Sequence, residues 1–165
     1  MQRILKILYL NKIRYLLCGG LAVNLYGIPR TTVDLDLIID LSHENLKNFI
    51  LTMKKAGLTL KQPVEDEKLL DPIFRKFLIK EKEIKVLTYI NLNNPLEIVD
   101  FFIELPINFE EAFKRKKTLK IEDYEIYLVD IETLIKMKEK SKRPLDISDV
   151  ENLRKIQKIK NFNEN

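Results

Sequence analysis

The chain has 165 residues, 45% hydrophobic and 33% charged, with a formal charge of +4 at pH 7. That length suits one globular domain with a real core and is too short for two typical ones, and no apolar run is long enough to cross a bilayer. A single cysteine excludes an internal disulfide and fits the cytoplasm, and with only one histidine beside it most zinc sites are excluded too.

In chain order, residues 2–11 have helical apolar spacing, with Ile4, Leu5 and Leu8 facing inward. No small-residue cleavage site comes after them, so no signal peptide is expected. Tyr15–Cys18 reads as a short buried strand that runs into Gly19-Gly20. A helix is predicted over Leu21–Tyr26, closed by Gly27 and Pro29. Val33–Ile39 is the second strand. Ser42 stands where an N-cap would open a helix over 43–55, ended by Gly57. The signal is weak from Leu58 to Ile73, where Pro63 and Pro72 argue for loops around a short strand or helical turn. Phe74–Ile79 and Ile84–Ile90 read as strands joined by a charged turn at Lys80–Glu83. Leu96–Ile103 is a further strand. Asn108 is placed to cap a short helix, and 119–121 with 124–128 form a hairpin across Glu122-Asp123. Asp130 caps a helix to about Lys140, Arg143-Pro144 breaks it, and a last helix spans about Ile147–Ile159 with capping-box spacing from Ser148 to Glu151. The pattern predicts one domain over 1–160, a mixed α/β or α+β sheet with a helical C-terminal cap, and a polar tail at 161–165.

The chemistry concentrates between Leu17 and Asp40. Alternate strand residues face opposite sides, so Asp34 and Asp36 share a face. Two adjacent carboxylates repel, and a hard divalent cation such as Mg²⁺ between them would relieve that. Their bland alternative is a strand edge guarded by solvated charge. Gly19-Gly20 allows close backbone approach, and the helix after it would offer N–H groups to an anion. Arg30 is a candidate for phosphate oxygens, because its guanidinium fork matches them, or it is simply a surface arginine. Asp100 lies within Ile98-Val-Asp-Phe-Phe-Ile103, where a lone carboxylate is costly unless paired. It is either a third metal ligand or a salt-bridge partner. Cys18 reads as a small buried hydrophobe and His43 as a surface residue. The run Lys114–Lys117 with Lys120 is either a solvated face or a grip on an RNA backbone.

Gly-Gly-x-Ala followed by Arg-Thr-x-x-Asp-x-Asp resembles the nucleotidyltransferase superfamily with the DNA polymerase β fold. The later segment Met137-Lys, Arg143-Pro-x-Asp and Asp149-Val-x-x-Leu is similar to its small branch related to abortive-infection type IV toxins. The resemblance covers about 15–153. It implies a nucleotidyltransferase-type mixed sheet flanked by helices, and transfer of a nucleoside monophosphate from an NTP such as ATP with release of pyrophosphate. It also implies two Mg²⁺ (or Mn²⁺) on Asp34, Asp36 and Asp100, and nucleotide contacts from Gly19, Gly20, Arg30, Lys138, Arg143 and Asp146. Expected partners are an NTP, an acceptor that is tRNA, another RNA, a protein side chain or a small molecule such as an aminoglycoside, with the net basic charge tilting the choice to RNA, and, if the chain is the toxin of a toxin–antitoxin pair, an antitoxin protein, with no membrane. The alternative is a non-catalytic relative that binds nucleotide or a partner protein.

Overall fold

The computed structural model describes residues 1–141 and 143–163, the side chains of 160–163 aside. Seven strands form a mixed sheet in the order β3-β4-β5-β2-β1-β7-β6. The strands are β1 (Tyr15–Leu17), β2 (Asp34–Ile39), β3 (Thr59–Leu60), β4 (Val86–Asn91), β5 (Asn94–Phe102), β6 (Lys117–Ile121) and β7 (Tyr124–Leu128). The helices are α1 (Gln2–Leu10), α2 (Gly19–Leu25), α3 (His43–Lys55), α4 (Pro72–Glu81), α5 (Phe109–Lys114), α6 (Ile131–Ser141) and α7 (Pro144–Asn163). β2 runs parallel to β5 and β1 parallel to β7, while the other neighbours are antiparallel.

The central strands separate their faces cleanly. On β2, Leu35 and Leu37 are buried, while Asp34 and Asp36 on the other face are only half-buried. On β5, Val99 and Phe101 are buried and Asp100 and Phe102 half-buried. α3 covers the apolar face. Its Phe49 meets Tyr89 and Phe101 with ring centroids 5.9 and 5.1 Å apart, an edge-on packing that aromatic quadrupoles favour. Each such buried side chain contributes about 1.5–3 kcal/mol over its exposed state. On the same side Glu97 is buried and held by Arg3 of α1, whose Nε donates to it at 2.8 Å.

Two caps act as expected. The Asn108 side chain accepts from the Glu111 N–H, and Asp130 accepts from both the N–H and the hydroxyl of Thr133. Ser42 precedes α3 but its side chain makes no cap bond; its N–H instead donates to Asp40 at 2.9 Å.

Three elements differ from the sequence reading. Phe74–Ile79 is helix α4, not a strand. Asp71 accepts from the Ile73 N–H and Pro72 occupies the first turn, where its missing N–H costs nothing. Lys80 and Glu81 accordingly close that helix and Lys82 caps it, so no hairpin turn forms at 80–83. The hairpin lies later, at Leu92-Asn93 between β4 and β5. The final helix starts at Pro144, so Ser148 and Glu151 lie inside it rather than at its cap. It runs to Asn163, into the stretch read as a polar tail; residues 164–165 lie outside the described residues. Among the described residues no helix is long and apolar enough to cross a membrane.

Candidate active site

The site is assembled where β1 ends against β2. The Cys18 N–H donates to the Asp36 carbonyl at 2.9 Å, continuing the strand pairing, and the chain then turns into α2 at Gly19. Gly19 has φ +64°, and a Cβ there would lie 1.7 Å from Asp36 Oδ2. No side chain fits that space. At Gly20 a Cβ would come 2.8 Å from Thr32 Oγ1 and 3.3 Å from Arg30 Cζ. The glycine pair is thus sandwiched between the Asp36 carboxylate and the 30–32 segment. From sequence, this backbone is expected to serve phosphate alone. In the structure Gly20 also hydrogen-bonds the Asp36 carboxylate, which favours its charged form. Cys18 is buried, as expected, with its thiol donating to the Asp36 carbonyl, and His43 is exposed.

The pairing of β2 with β5 places Asp36 directly beside Asp100, and Asp34 beside Ile98. Parallel neighbours lie about 4.8 Å apart, and all three carboxylates stand on the same face. Burial raises the pKa of Asp36, and the charges of Asp100 and Asp34 raise it further. Asp100 is likewise raised, first by burial and then by Asp34, against the opposing pull of the Thr88 hydroxyl and the Lys61 charge. Asp100 Oδ1 is buried without a hydrogen-bond partner. A crowded row of acids, one with an orphaned oxygen, fits a hard cation with oxygen ligands. Among the described residues, though, no three His, Cys, Asp or Glu side chains are already drawn together as a metal cluster. The carboxylates are aligned rather than converged.

Beside Asp36 a small cleft of about 150 Å³ is closed by α6 and the start of α7. Gly19, Gly20, Arg30, Lys138, Arg143 and Asp146 all line it together with Asp36. The six positions expected to contact a nucleotide therefore meet in one place, although they span more than a hundred residues of chain. Asp34 and Asp100 lie further along the sheet face, outside this cleft. A larger hollow of about 520 Å³ between α5 and α6 holds none of these residues.

The charges in the cleft are already engaged. Buried Lys138 places Nζ 2.7 Å from Asp146 and 2.9 Å from Asp149. Arg30 donates to Asp149 and lies 4.0 Å from Asp146, while Arg143, largely exposed, reaches Asp146 at 3.9 Å. Ser141 donates its hydroxyl to Asp146. Burial opposes the charge of Asp146, but the hydrogen bonds of Lys138 and Ser141 and the charges of Lys138 and Arg143 outweigh it, so its pKa falls below the ordinary carboxylate range. Arg30 Nε, also buried, has no partner. Asp149 was not among the candidates read from the sequence. The available signal was its spacing: three residues after Asp146, it shares a helix face with it. Thr32, whose hydroxyl packs on Gly20, was missed too, because only the fold brings it there.

By sequence, no protein-family model matches the chain, and no curated protein matches it. Solved structures do. A lincosamide antibiotic adenylyltransferase with lincomycin bound superposes at TM-score 0.61 and 15% identity, covering 94% of each chain. A candidate nucleotidyltransferase from Thermotoga maritima gives 0.53 and 14%, over 97% of this chain and 89% of its own. An antigenic nucleotidyltransferase-like protein from Paracoccidioides brasiliensis gives 0.54 and 18%, over 92% and 72%. At these identities the likeness is one of architecture, and it shows that this mixed seven-stranded sheet with its flanking helices is the nucleotidyltransferase fold.

Proposed function

We propose that the chain is a divalent-metal-dependent nucleotidyltransferase, which moves a nucleoside monophosphate from an NTP to an acceptor hydroxyl. The observation that carries this reading is the juxtaposition of Asp36 and Asp100 in one register, beside a cleft lined by Gly19, Gly20, Arg30 and Lys138. Asp34, Asp36 and Asp100 would hold Mg²⁺, two ions by analogy with the fold, and Mn²⁺ would serve. Such ions neutralise triphosphate charge and orient the reacting oxygens.

The chain's own residues supply the rest. Arg30 and Lys138 offer donors to phosphate oxygens, with Arg30 Nε still free to take one. Asp146 and Asp149 hold both cations at fixed positions until the nucleotide arrives. Gly19 lets the backbone pass against Asp36, so that the carboxylate is fixed beside the phosphate path. In the transfer, the acceptor oxygen bonds to the α-phosphorus and the bond to the bridging oxygen breaks. Pyrophosphate leaves, and the hydroxyl proton passes to water.

We further propose RNA as the acceptor class, since the chain is net basic and Lys114, Arg115 and Lys117 are exposed. A toxin role with a cognate antitoxin, action in the cytoplasm and a single domain over 1–160 belong to the same reading. A second reading, a nucleotide- or partner-binding relative without turnover, draws on the neutralised cations of the cleft and the unconverged carboxylates. The two separate in one experiment: each α-labelled NTP is incubated with Mg²⁺ and total RNA. Label on RNA, lost in Asp36→Asn, supports the enzyme. Absence of both label transfer and Mg²⁺-dependent NTP binding by calorimetry rejects it.

A further inference from the structure

The lining of the cleft beside Asp36 is of two kinds. The glycine pair, Arg30 and Lys138 offer donors to an anion, whereas Phe102, Leu134 and Met137 are apolar. The sheet keeps the two apart. Gly19 and Gly20 follow β1 on one flank of β2, and Phe102 ends β5 on the other flank. Phe102 lies one alternation step past Asp100, so it stands on the same face as the carboxylates. α6 covers that face with Leu134, Met137, Lys138 and Ser141, which fall on one helical stripe.

The ring of Phe102 is unmatched. Every other phenylalanine whose side chain is described, Phe49, Phe74, Phe77, Phe101, Phe109 and Phe113, packs on an aromatic ring. Among the described residues Phe102 has no ring partner and no cation over its face, and it stays half-buried at the cleft. An open aromatic face, set across β2 from the anion donors, is suited to a flat ring that carries phosphates at its far end. The cleft is small, about 150 Å³, but Met137 also lines the hollow of about 520 Å³ between α5 and α6, which gives a two-ring base room to extend. The polar members of the α6 stripe are already engaged: Lys138 lies 2.7 Å from Asp146, and Ser141 donates to the same carboxylate. Ring area, rather than hydrogen bonding to base edges, therefore sets the preference at this end.

We propose that Phe102, with Leu134 and Met137, seats the nucleobase of the donor nucleotide and makes the site prefer purines to pyrimidines. Any base has a π-face to lay on an aromatic side chain, and a purine covers more of it. The inference rests on the transferase reading above, but its test needs no turnover.

Phe102→Leu keeps an apolar side chain and removes the ring, and Phe102→Trp supplies a ring again. Calorimetry with Mg²⁺ measures the binding of ATP, GTP, CTP, UTP and inorganic tripolyphosphate to each protein. The parent should bind ATP and GTP about tenfold more tightly than CTP and UTP. Phe102→Leu should lose about tenfold for ATP and GTP with tripolyphosphate affinity unchanged, and Phe102→Trp should regain the purine affinity. Equal affinity of the parent for purine and pyrimidine nucleotides overturns the proposal, as does a parent that binds none of them. Parental ATP affinity in Phe102→Leu also overturns it, and so does an equal loss for ATP and tripolyphosphate, which would mark the ring as a support of the fold. Label transfer by a protein whose purine binding ignores Phe102 removes the base seat and keeps the transferase reading. Purine binding that depends on Phe102, in a protein that never transfers label, does the reverse.

Discussion

Replacing Gly19 with alanine tests the geometry on which the site depends. The new Cβ would sit 1.7 Å from Asp36 Oδ2, where ordinary contact begins at 3.4 Å. The carboxylate would have to retreat by about 1.7 Å in a close-packed setting, or the backbone would have to move. Overpacking of that kind costs about 1–3 kcal/mol. Holding alanine at φ +64° adds about 1–2 kcal/mol. The sum, about 2–5 kcal/mol, is a large share of a typical domain's stability, and lowers Tm by about 2–4 °C for each kcal/mol in a chain of this size. Urea unfolding would measure it. The same substitution in an Asp36→Gly background meets no carboxylate, so only the backbone cost of about 1–2 kcal/mol should persist there, and the difference is the coupling between the two positions. Gly19→Ala with parental stability, or with an equal cost in both backgrounds, would refute the claim that Asp36 occupies the space a Cβ needs.

Asp36→Asn should abolish transfer while leaving Tm unchanged or raised, because it removes a charge that burial and Asp100 disfavour; a mutant that unfolds would mark the carboxylate as structural. In the metal-free protein, the raised pKa values of Asp36 and Asp100 give stability that is full below the ordinary carboxylate value of 3.8 and is lost as pH rises through the folded values; Mg²⁺ should restore Tm at neutral pH in the parent and not in Asp36→Asn. Lys138→Met strands Asp146 and Asp149 together in a buried position, so a loss near the low end of about 3–5 kcal/mol is expected in urea, with part of it recovered in Lys138→Met/Asp149→Asn. Glu97 behaves oppositely to Asp36 and Asp100. The hydrogen bond from Arg3 lowers its pKa to about 2, so its contribution is present above the ordinary value of 4.5 and is lost as pH falls towards 2. An Arg3→Met variant should show a flatter Tm profile across that acid range.

Much of the local structure was legible because it depends on neighbours in the chain. Asn108 and Asp130 cap their helices through bonds that span three residues. α4 differs from the strand expected there although its signal is equally local: Asp71-Pro72 is a helix start, and Phe74, Phe77 and Leu78 follow at i, i+3 and i+4. Other elements were out of reach of any local rule. The hairpin at Leu92-Asn93 lacks the usual glycine turn, and β5 begins with residues whose exposure is set by what fails to cover them.

For the site, residue type and spacing along the strand were enough to put Asp34 and Asp36 on one face, to mark Asp100 as an anomaly in an apolar strand, and to offer Gly19-Gly20 as a close backbone approach; that no side chain fits at Gly19 comes from the fold, which sets Asp36 against it. Pairing was a different matter. That Asp100 stands level with Asp36, that Asp149 joins Asp146 in holding Lys138 and Arg30, and that Phe102 lines the same cleft were decided by the tertiary structure alone. The physical reason is range. Strand alternation and helix capping act within a few residues and leave their mark in the order of side chains, whereas register between strands and the charge balance of a cleft are set by groups distant in sequence, and only the folded chain brings those together.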